Sequence, residues 1–178
     1  MGGGIIFMTK ENGKIHLLFG REANIESTYH KDRGKFSDFG GSTDNNETYR
    51  ETAVRECVEE TMGLYMNEKE INNLIDTKLE RVFNFSKYRI YLVNVSGSHT
   101  AGKNKSFPIK LRDSFKKAYK NDYDKVKQHN GLYEKDMAKW FNAKYLLKNI
   151  DSFRPWYRVC VKRIIKYLKN EYKINQIN

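Results

Sequence analysis

The spacing of apolar and polar residues along the chain predicts a mixture of strands and helices. Two short apolar runs, Gly3 to Met8 and Ile15 to Phe19, flank a polar stretch with an Asn-Gly pair, which is typical of a β-hairpin turn. Leu79 to Phe85 and Tyr88 to Val95 alternate apolar and polar residues, as two paired strands do. Glu134 to Phe141 predicts a further strand.

Three stretches have helical spacing. The first runs from about Glu47 to Met62 and is closed by Gly63, a residue that commonly stops helices. Glu68 to Thr77 predicts a short helix. A last helix is predicted over residues 155–172, with Trp156 on its apolar side. The order of these elements predicts an α+β fold, layered as an α/β/α sandwich.

Composition limits the class of protein. The 178 residues, 39% apolar and 31% charged, suit one domain over residues 1–178 and exclude a disordered chain. No apolar stretch approaches the ~20 residues of a membrane span, and the N-terminus lacks the features of a secretory signal. Cys57 and Cys160 lie in apolar helical patterns and predict reduced core residues. We therefore expect an intracellular, cytoplasmic protein with no membrane partner.

The net charge of +11 predicts a polyanionic phosphate partner. Nucleic acid, nucleotides, inositol phosphates and anionic membrane all fit this charge, as does a Lys-rich composition with no ligand at all. Residues 96–131 carry nine Lys or Arg against three Asp, interleaved with four aromatic residues. This segment predicts a basic insertion, an inserted loop with a helix inside it, in which Lys103 and Lys105 are candidate substrate-binding residues.

The helix before Gly63 carries three closely spaced carboxylates. Glu56, Glu59 and Glu60 fall on one face of it, while Val54 and Cys57 point to the other. Like charges at these spacings repel each other and need a compensating cation or full solvation. Mg²⁺ or Mn²⁺ would supply the cation, because both prefer carboxylate oxygens. An ordinary solvated acidic face is the alternative.

A longer pattern surrounds these carboxylates. Gly41, five residues, Glu47, seven residues and then the run from Arg55 to Glu60 (RECVEE) resemble the signature of the Nudix hydrolase family. The resemblance covers residues 3–147 and implies a Nudix-like α/β/α sandwich with a mixed sheet. Two departures stand out. Cys57 replaces a larger aliphatic residue, and two residues instead of one precede Gly63, which predicts a lengthened last turn with unmoved carboxylates.

The resemblance also implies roles for individual residues. Glu56, Glu59, Glu60 and the carbonyl of Gly40 would bind the Mg²⁺ or Mn²⁺, and Gly41, Glu47 and Arg55 would be structural, Glu47 and Arg55 as a pair that braces the loop. The reaction would be attack of water on a phosphorus of a diphosphate. The catalytic residues would be Glu56, Glu60 and Glu134, with Glu56 and Glu134 as the two candidates for the general base.

The substrate stays open at this level. Arg21, at the end of the second strand, is expected either to contact substrate phosphates or to pair with Glu22. Hydrolysis of the 5′ cap of mRNA is narrowly favoured, since the basic charge of residues 96–131 is local. A small nucleotide or a diphosphoinositol phosphate is the alternative. A module that binds RNA without catalysis is disfavoured because all three carboxylates are present.

Overall fold

A mixed sheet lies between two layers of helices. A computed structural model of the chain describes residues 1–44, 46–127 and 131–174. Within them the sheet has seven strands: β1 (Gly2–Glu11), β2 (Lys14–Glu22), β3 (Phe36–Ser37), β4 (Phe39–Ser42), β5 (Leu79–Phe85), β6 (Tyr88–Asn94) and β7 (Lys135–Asn142). The α-helices of the same residues are α1 (Tyr49–Glu60), α2 (Glu68–Lys78), α3 (Ser98–Asn121), α4 (Tyr123–Val126) and α5 (Arg158–Tyr172). Short 3₁₀ helices follow β7 at Ala143–Tyr145 and Ile150–Ser152.

Strand β1 is central to the sheet. It pairs antiparallel with β2 and β4 and parallel with β6, while β6 pairs antiparallel with β5, and β2 with β3 and β7. Ile5 and Phe7 of β1 pack in a core with α1, α2 and α3, whereas Ile6 and Met8 pack in a core with α5. Both faces of the strand are covered, which explains its unbroken apolar run. The predicted α/β/α sandwich is confirmed.

The predicted hairpin and paired strands are also confirmed. Asn12 and Gly13 both have positive φ, 50° and 69°, as a two-residue hairpin turn requires. Strands β5 and β6 pair with each other at the positions that the alternating pattern indicated. Each hairpin strand begins one residue before its apolar run and ends three residues after it, because backbone pairing continues where side chains are already polar.

The basic insertion is mostly helix instead of loop. Helix α3 occupies 24 of its residues, and residues 128–130 of the insertion lie outside the described part of the chain. Phe107 is 1% exposed and packs in the core with α1, and Phe115 is 8% exposed and packs against Ala23 and Ile25. These two aromatic rings are therefore structural and are not available to stack on a ligand.

The last helix begins later than predicted. Helix α5 starts at Arg158, three residues after Pro155, so the prediction that Trp156 lies on the apolar side of this helix was wrong. Trp156 is 44% exposed, and the neighbouring Tyr157 fills the core position. Cys57 and Cys160 are buried and unpaired with each other, as predicted. In the described part of the chain, every helix is too short or too polar to traverse a lipid bilayer.

Candidate active site

Helix α1, which carries the three carboxylates, begins with a capping box. Thr48 Oγ1 accepts a hydrogen bond from the Glu51 N–H at 3.2 Å, and Glu51 Oε2 accepts one from the Thr48 N–H at 2.8 Å. These reciprocal bonds satisfy backbone donors that a helix start leaves open. The helix buries Ala53 and Cys57 against the sheet. Its carboxylates consequently lie beside strand β4.

The end of α1 differs from the prediction. The Met62 N–H donates to the Glu59 carbonyl and the Gly63 N–H to the Val58 carbonyl, both at 2.8 Å. This is a Schellman motif, and Met62, with φ 55°, holds the left-handed position that usually goes to glycine. The prediction that the extra residue lengthens the last turn was wrong. The helix stops at Glu60 and the extra residue lies beyond it.

Gly63 also has a left-handed backbone, with φ 63°, and no atom lies within 4 Å of the position that a Cβ would take there. We expect Gly63→Ala to lower the free energy of unfolding by about 1 kcal/mol, because a Cβ strains this conformation. Urea denaturation measures the loss. Gly63→Asn is the matched control and should cost less, since Asn tolerates the left-handed region better. Equal stability of Gly63→Ala and the unmodified chain would contradict this account of the loop.

Arg55 joins the carboxylate helix to the loop before it. Its Nε donates to Glu47 Oε1 at 2.7 Å and its Nη2 to the Ser42 carbonyl at 3.0 Å. Its Nη1 donates to Glu56 Oε1 and to Glu59 Oε2, both at 3.0 Å. Hydrogen bonding from Arg55 lowers the pKa of Glu47 to about 2. One guanidinium thus ties three carboxylates and the end of β4 together.

Glu60 is far more deeply buried than its neighbours in the motif. Its side chain is 2% exposed, against 35% for Glu59 and 12% for Glu56. Glu60 Oε2 accepts from the Gly40 N–H at 2.8 Å, and Lys135 Nζ lies 3.1 Å from Glu60 Oε1. Both carboxylate oxygens are therefore engaged by donors of the chain. Burial raises the pKa of Glu60, and the charge of Lys135 opposes that rise.

Lys135 belongs to a buried charge cluster, which we define as Lys135, Glu22, Ser37, Arg154 and Asp32. Glu22 Oε1 accepts from Lys135 Nζ, from Ser37 Oγ at 2.9 Å and from Arg154 Nη1 at 3.1 Å. Arg154 Nη2 also donates to Asp32 Oδ2 at 2.7 Å. Burial works to lower the pKa of Lys135, but the carboxylates of Glu22 and Glu60 outweigh it and raise that pKa. Pairing with these two carboxylates thus favours the charged form of Lys135 in spite of its burial.

Arg21 does not pair with its neighbour in sequence. Its Nε and Nη2 donate to the two carboxylate oxygens of Asp136 at 2.8 and 3.1 Å. The alternative that Arg21 pairs with Glu22 was wrong, because Glu22 points into the buried charge cluster. Successive side chains of a strand alternate between its two faces, so neighbours in β2 are separated. Contact of Arg21 with a substrate phosphate stays a prediction.

A second buried acid lies beneath Gly40. Asp38 is 1% exposed, and Tyr88 donates its O–H to Asp38 Oδ2 at 3.1 Å. Burial raises the pKa of Asp38 to about 7, against the charge of Lys135. A Cβ on Gly4 would lie 2.2 Å from the same carboxylate oxygen. The acid therefore fits only because the facing strand has a glycine there.

Glu134 lies at the entrance to β7, next to Lys135. Its carbonyl accepts from the Ala23 N–H at 2.8 Å, which ties this loop to the end of β2. The charge of Glu134 contributes to raising the pKa of Glu56 and of Glu60, so its carboxylate shares their electrostatic environment. A Cβ on Gly131, in the same loop, would lie 2.8 Å from Glu59 Oε2, so the loop that carries Glu134 lies against the helix carboxylates although they are far apart in sequence.

Comparison with known proteins identifies the fold. No family model and no curated protein matches the sequence. RenU, a Nudix hydrolase from M. smegmatis, superposes with a TM-score of 0.58 at 11% identity, over 96% of this chain and 86% of that one. A C. elegans Ap4A hydrolase in a binary complex gives a TM-score of 0.52 at 13% identity, over 96% and 99%. The chain has the Nudix fold.

A third solved structure with this fold contains a bound metal ion. It is a bifunctional NMN adenylyltransferase/ADP ribose pyrophosphatase from Francisella tularensis, complexed with AMP and a Mn ion. Its TM-score is 0.54 at 15% identity, over 96% of this chain and 41% of that one. At such identities the likeness shows the Nudix fold, which confirms the fold that the residues from Gly41 to Glu60 predicted.

The two predicted substrate-binding lysines lie elsewhere in the Nudix fold. Lys103 forms an ion pair with Glu70 of α2. Lys105 is exposed and lines a cavity of about 230 Å³ whose other residues include Thr9 and Trp140. Thr9 is near the hairpin end of β1, whereas Glu60 is bonded to Gly40, which pairs with Gly4 near the start of β1. Five residues of a strand separate Gly4 from Thr9, a distance of roughly 17 Å. Lys105 could therefore contact only an extended substrate that also reaches the carboxylates.

The donor chemistry of the site fits a hard divalent cation. Within the described residues, no group of three His, Cys, Asp or Glu side chains is arranged as a metal cluster. The Arg55 guanidinium instead lies between Glu56 and Glu59. A Cβ on Gly41 would lie 2.5 Å from the Glu56 carboxylate, so this carboxylate lies directly against the backbone of β4 only because residue 41 is glycine. Carboxylates outnumber the cations Arg55 and Lys135, and Mg²⁺ or Mn²⁺ would reduce that excess of negative charge.

Several residues of the site escape sequence reasoning. Lys135, Glu22, Asp38 and Tyr88 have no motif spacing, and their partners are separated by up to 132 positions. A signal was present at Lys135 alone. Lys135 is a charged residue at the start of β7, and later residues of this strand, such as Phe141, face the core. Such a position predicts a buried ion pair only once the partner strand is known.

Proposed function

We propose that this chain is a divalent-metal-dependent hydrolase that cleaves the diphosphate linkage of a nucleoside-diphosphate-linked substrate. The observation that carries the proposal is the arrangement of Glu56, Glu59 and Glu60 at the end of α1 in a Nudix fold, braced by the Arg55–Glu47 ion pair. An ordinary solvated acidic face would not bury Glu60 or share one guanidinium among three carboxylates.

The residues of the site take distinct roles in this proposal. Gly40, through its carbonyl, and the partly exposed carboxylates Glu56 and Glu59 would hold the Mg²⁺ or Mn²⁺. Glu60, which the resemblance also implies as a ligand, has both carboxylate oxygens engaged by the Gly40 N–H and the Lys135 ammonium. When bound, such a cation neutralises charge on the phosphoryl oxygens and makes a nearby water more acidic. Arg55 orients Glu56 and Glu59 by hydrogen bonds to one oxygen of each.

The general base is assigned to Glu56 or Glu134. Burial raises the pKa of Glu56, and a base with a raised pKa accepts a proton from water more readily. Glu134 lies on the loop whose Gly131 lies against Glu59, and its charge contributes to raising the pKa of Glu56. In either case the carboxylate takes a proton from the attacking water while the leaving phosphate departs with the bridging oxygen.

A small nucleotide is the substrate class that we favour. Two of the structures with TM-scores above 0.5 are named as an Ap4A hydrolase and an ADP ribose pyrophosphatase. The structural observations on α3 point the same way. Phe107 and Phe115 are buried, and Lys103 is paired with Glu70. The aromatic and basic surface that favoured RNA is thus smaller than its sequence indicates.

Capped RNA is the second candidate because α3 still presents a row of exposed lysines, namely Lys105, Lys110, Lys116, Lys117 and Lys120. Such a row could hold an RNA body while the carboxylates cleave the cap. A module that binds RNA without catalysis is the third outcome. Its signature would be RNA binding with no metal-dependent hydrolysis of any substrate.

One assay separates these outcomes. Purified protein is incubated with Mg²⁺ or Mn²⁺ and a panel of dinucleoside polyphosphates, nucleotide sugars, oxidised nucleoside triphosphates, inositol pyrophosphates, capped RNA and free cap dinucleotide. We expect hydrolysis of a small nucleotide that EDTA abolishes and excess metal restores. Absence of metal-dependent hydrolysis across the whole panel would refute the proposed function.

Salt dependence distinguishes RNA from small nucleotides. We expect the rate on the preferred small substrate to fall only mildly with added KCl, because few phosphates are contacted. For capped RNA held along α3, the rate would fall steeply with salt, since many counterions are released on binding. Capped RNA cleaved far faster than free cap dinucleotide, with a steep salt dependence, would replace the small nucleotide by RNA.

A further inference from the structure

Lys135 occupies an unusual place for a lysine. Its side chain is fully buried at the start of β7, where its ammonium group contacts Glu22, Ser37 and Glu60. Buried lysines are costly unless their charge is paired and hydrogen-bonded. Here two carboxylates from separate elements, the end of β2 and the end of α1, meet at one ammonium.

The surroundings of Glu60 contrast with those of Glu56 and Glu59. Lys135 and the Gly40 N–H engage both oxygens of Glu60, which is almost inaccessible to solvent. Glu56 and Glu59 each bond to Arg55 through one oxygen and are more exposed. The motif carboxylates are thus divided into one fully buried member with its own cation, Glu60, and two partly exposed members, Glu56 and Glu59.

A metal ion in a cluster of carboxylates neutralises their mutual repulsion and fixes their orientation. Lys135 already does both for Glu22 and Glu60. Its charge is held in place by Ser37 Oγ at 2.8 Å, and its bond to Glu60 leaves Glu60 Oε2 directed at the Gly40 N–H. Gly40 is the residue whose carbonyl is proposed to contact the cation, so Glu60 acts on the site through Gly40.

We propose that the Lys135 ammonium replaces a metal ion at Glu60, so that Glu60 is a positioning residue for Gly40 while the divalent cation binds at Glu56 and Glu59. This inference rests on the proposed function for the presence of that cation. The inference goes beyond the proposed function in two respects. It excludes Glu60 from the direct ligands of the cation, and it assigns Lys135 a role that a neutral residue could not fill.

The test is a titration with Mn²⁺ alone, followed by electron paramagnetic resonance of the free ion, with circular dichroism to verify folding. We expect Lys135→Met to bind one Mn²⁺ ion more per chain than the unmodified protein at mildly alkaline pH, because the Glu22–Glu60 pair then lacks its cation. The double variant Lys135→Met/Glu60→Gln should return to the original number. Lys139→Met, an exposed lysine of the same strand, is the matched control and should change nothing.

A second variant keeps the test decisive if Lys135→Met does not fold. We expect Glu60→Gln to keep the Mn²⁺ site with an affinity lowered by at most about 100-fold, as for residues that act through a ligand. Glu56→Gln should lose the site. A folded Lys135→Met with the original number and affinity of Mn²⁺ ions, or a folded Glu60→Gln without the site, would overturn the proposal.

These readouts are independent of catalysis. If the unmodified chain binds Mn²⁺ as expected but hydrolyses no substrate, the proposed function fails and the role of Lys135 stands. If the unmodified chain binds no Mn²⁺ and Lys135→Met does, Lys135 does take the place of a metal ion at Glu60, but the cation site at Glu56 and Glu59 is refuted together with metal-dependent hydrolysis. If both bind Mn²⁺ identically and hydrolysis is observed, only the role of Lys135 is refuted.

Discussion

Replacement of Glu56 by Gln should lower kcat for the preferred diphosphate substrate by about 10²- to 10⁴-fold. The Glu56 carboxylate lies against the Gly41 backbone, is bonded by Arg55 and shares its environment with Glu134. Gln keeps the shape and one acceptor oxygen but removes the negative charge and the capacity to take a proton. Steady-state kinetics on the substrate identified by the panel measure the loss.

The matched control for this prediction is Glu171→Gln, an exposed carboxylate on α5. It removes the same charge from the chain, so it tests whether net charge alone affects binding of a phosphate substrate. We expect its kcat and KM to stay within about twofold of those of the unmodified protein, because substitutions at exposed positions usually have small effects. A folded Glu56→Gln variant with undiminished kcat would show that Glu56 neither binds the cation nor takes the proton.

The second large effect is on folding. Gly40→Ala should lower the free energy of unfolding by about 3 kcal/mol or more, because overpacking against backbone cannot relax by a side-chain rotation. A Cβ at position 40 would lie 2.3 Å from the Gly4 Cα and 2.4 Å from the Gly3 carbonyl oxygen. The same Cβ would lie 2.4 Å from the Tyr88 hydroxyl. Urea denaturation of the purified variant measures the effect.

Gly102→Ala is the control for the glycine prediction. Gly102 lies inside α3, and no atom lies within 4 Å of the position that its Cβ would take. The same substitution there should raise the free energy of unfolding by up to about 1 kcal/mol, because Ala favours a helix over Gly. Opposite signs at the two positions are the expected result. If Gly40→Ala unfolds at the same urea concentration as the unmodified chain, the close approach of β1 and β4 is wrong.

Local signals made the α1 segment predictable. The Nudix-like spacing from Gly41 to Glu60 identified the helix and its acidic face, and Thr48 and Glu51 form a capping box at its start. These interactions span a few residues, so their geometry follows from helical periodicity. The exception is the helix end, where Met62 takes the left-handed position. Sequence favoured Gly63 there, because glycine is the usual residue in that conformation.

Long-range contacts were not predictable in the same way. The partner of Arg21 is Asp136, at a separation of 115 positions, and Glu22 joins Lys135 and Arg154 instead. The pairing of β2 with β7 places these residues side by side. Composition similarly indicated a basic, aromatic insertion, but only packing shows that Phe107 supports the core behind α1.

The sequence by itself determined five of the strands, namely β1, β2, β5, β6 and β7, the helices α1, α2 and α5, and the Nudix-like motif with its carboxylates from Glu56 to Glu60, because each depends on periodicity and fixed local spacing. Only the tertiary structure decided how these carboxylates differ. Glu60 is buried with the ammonium of Lys135, whereas Glu59 remains accessible. The physical reason is that burial and charge pairing depend on which distant strands contact the end of α1. The spacing of residues along one helix does not indicate which strands these are.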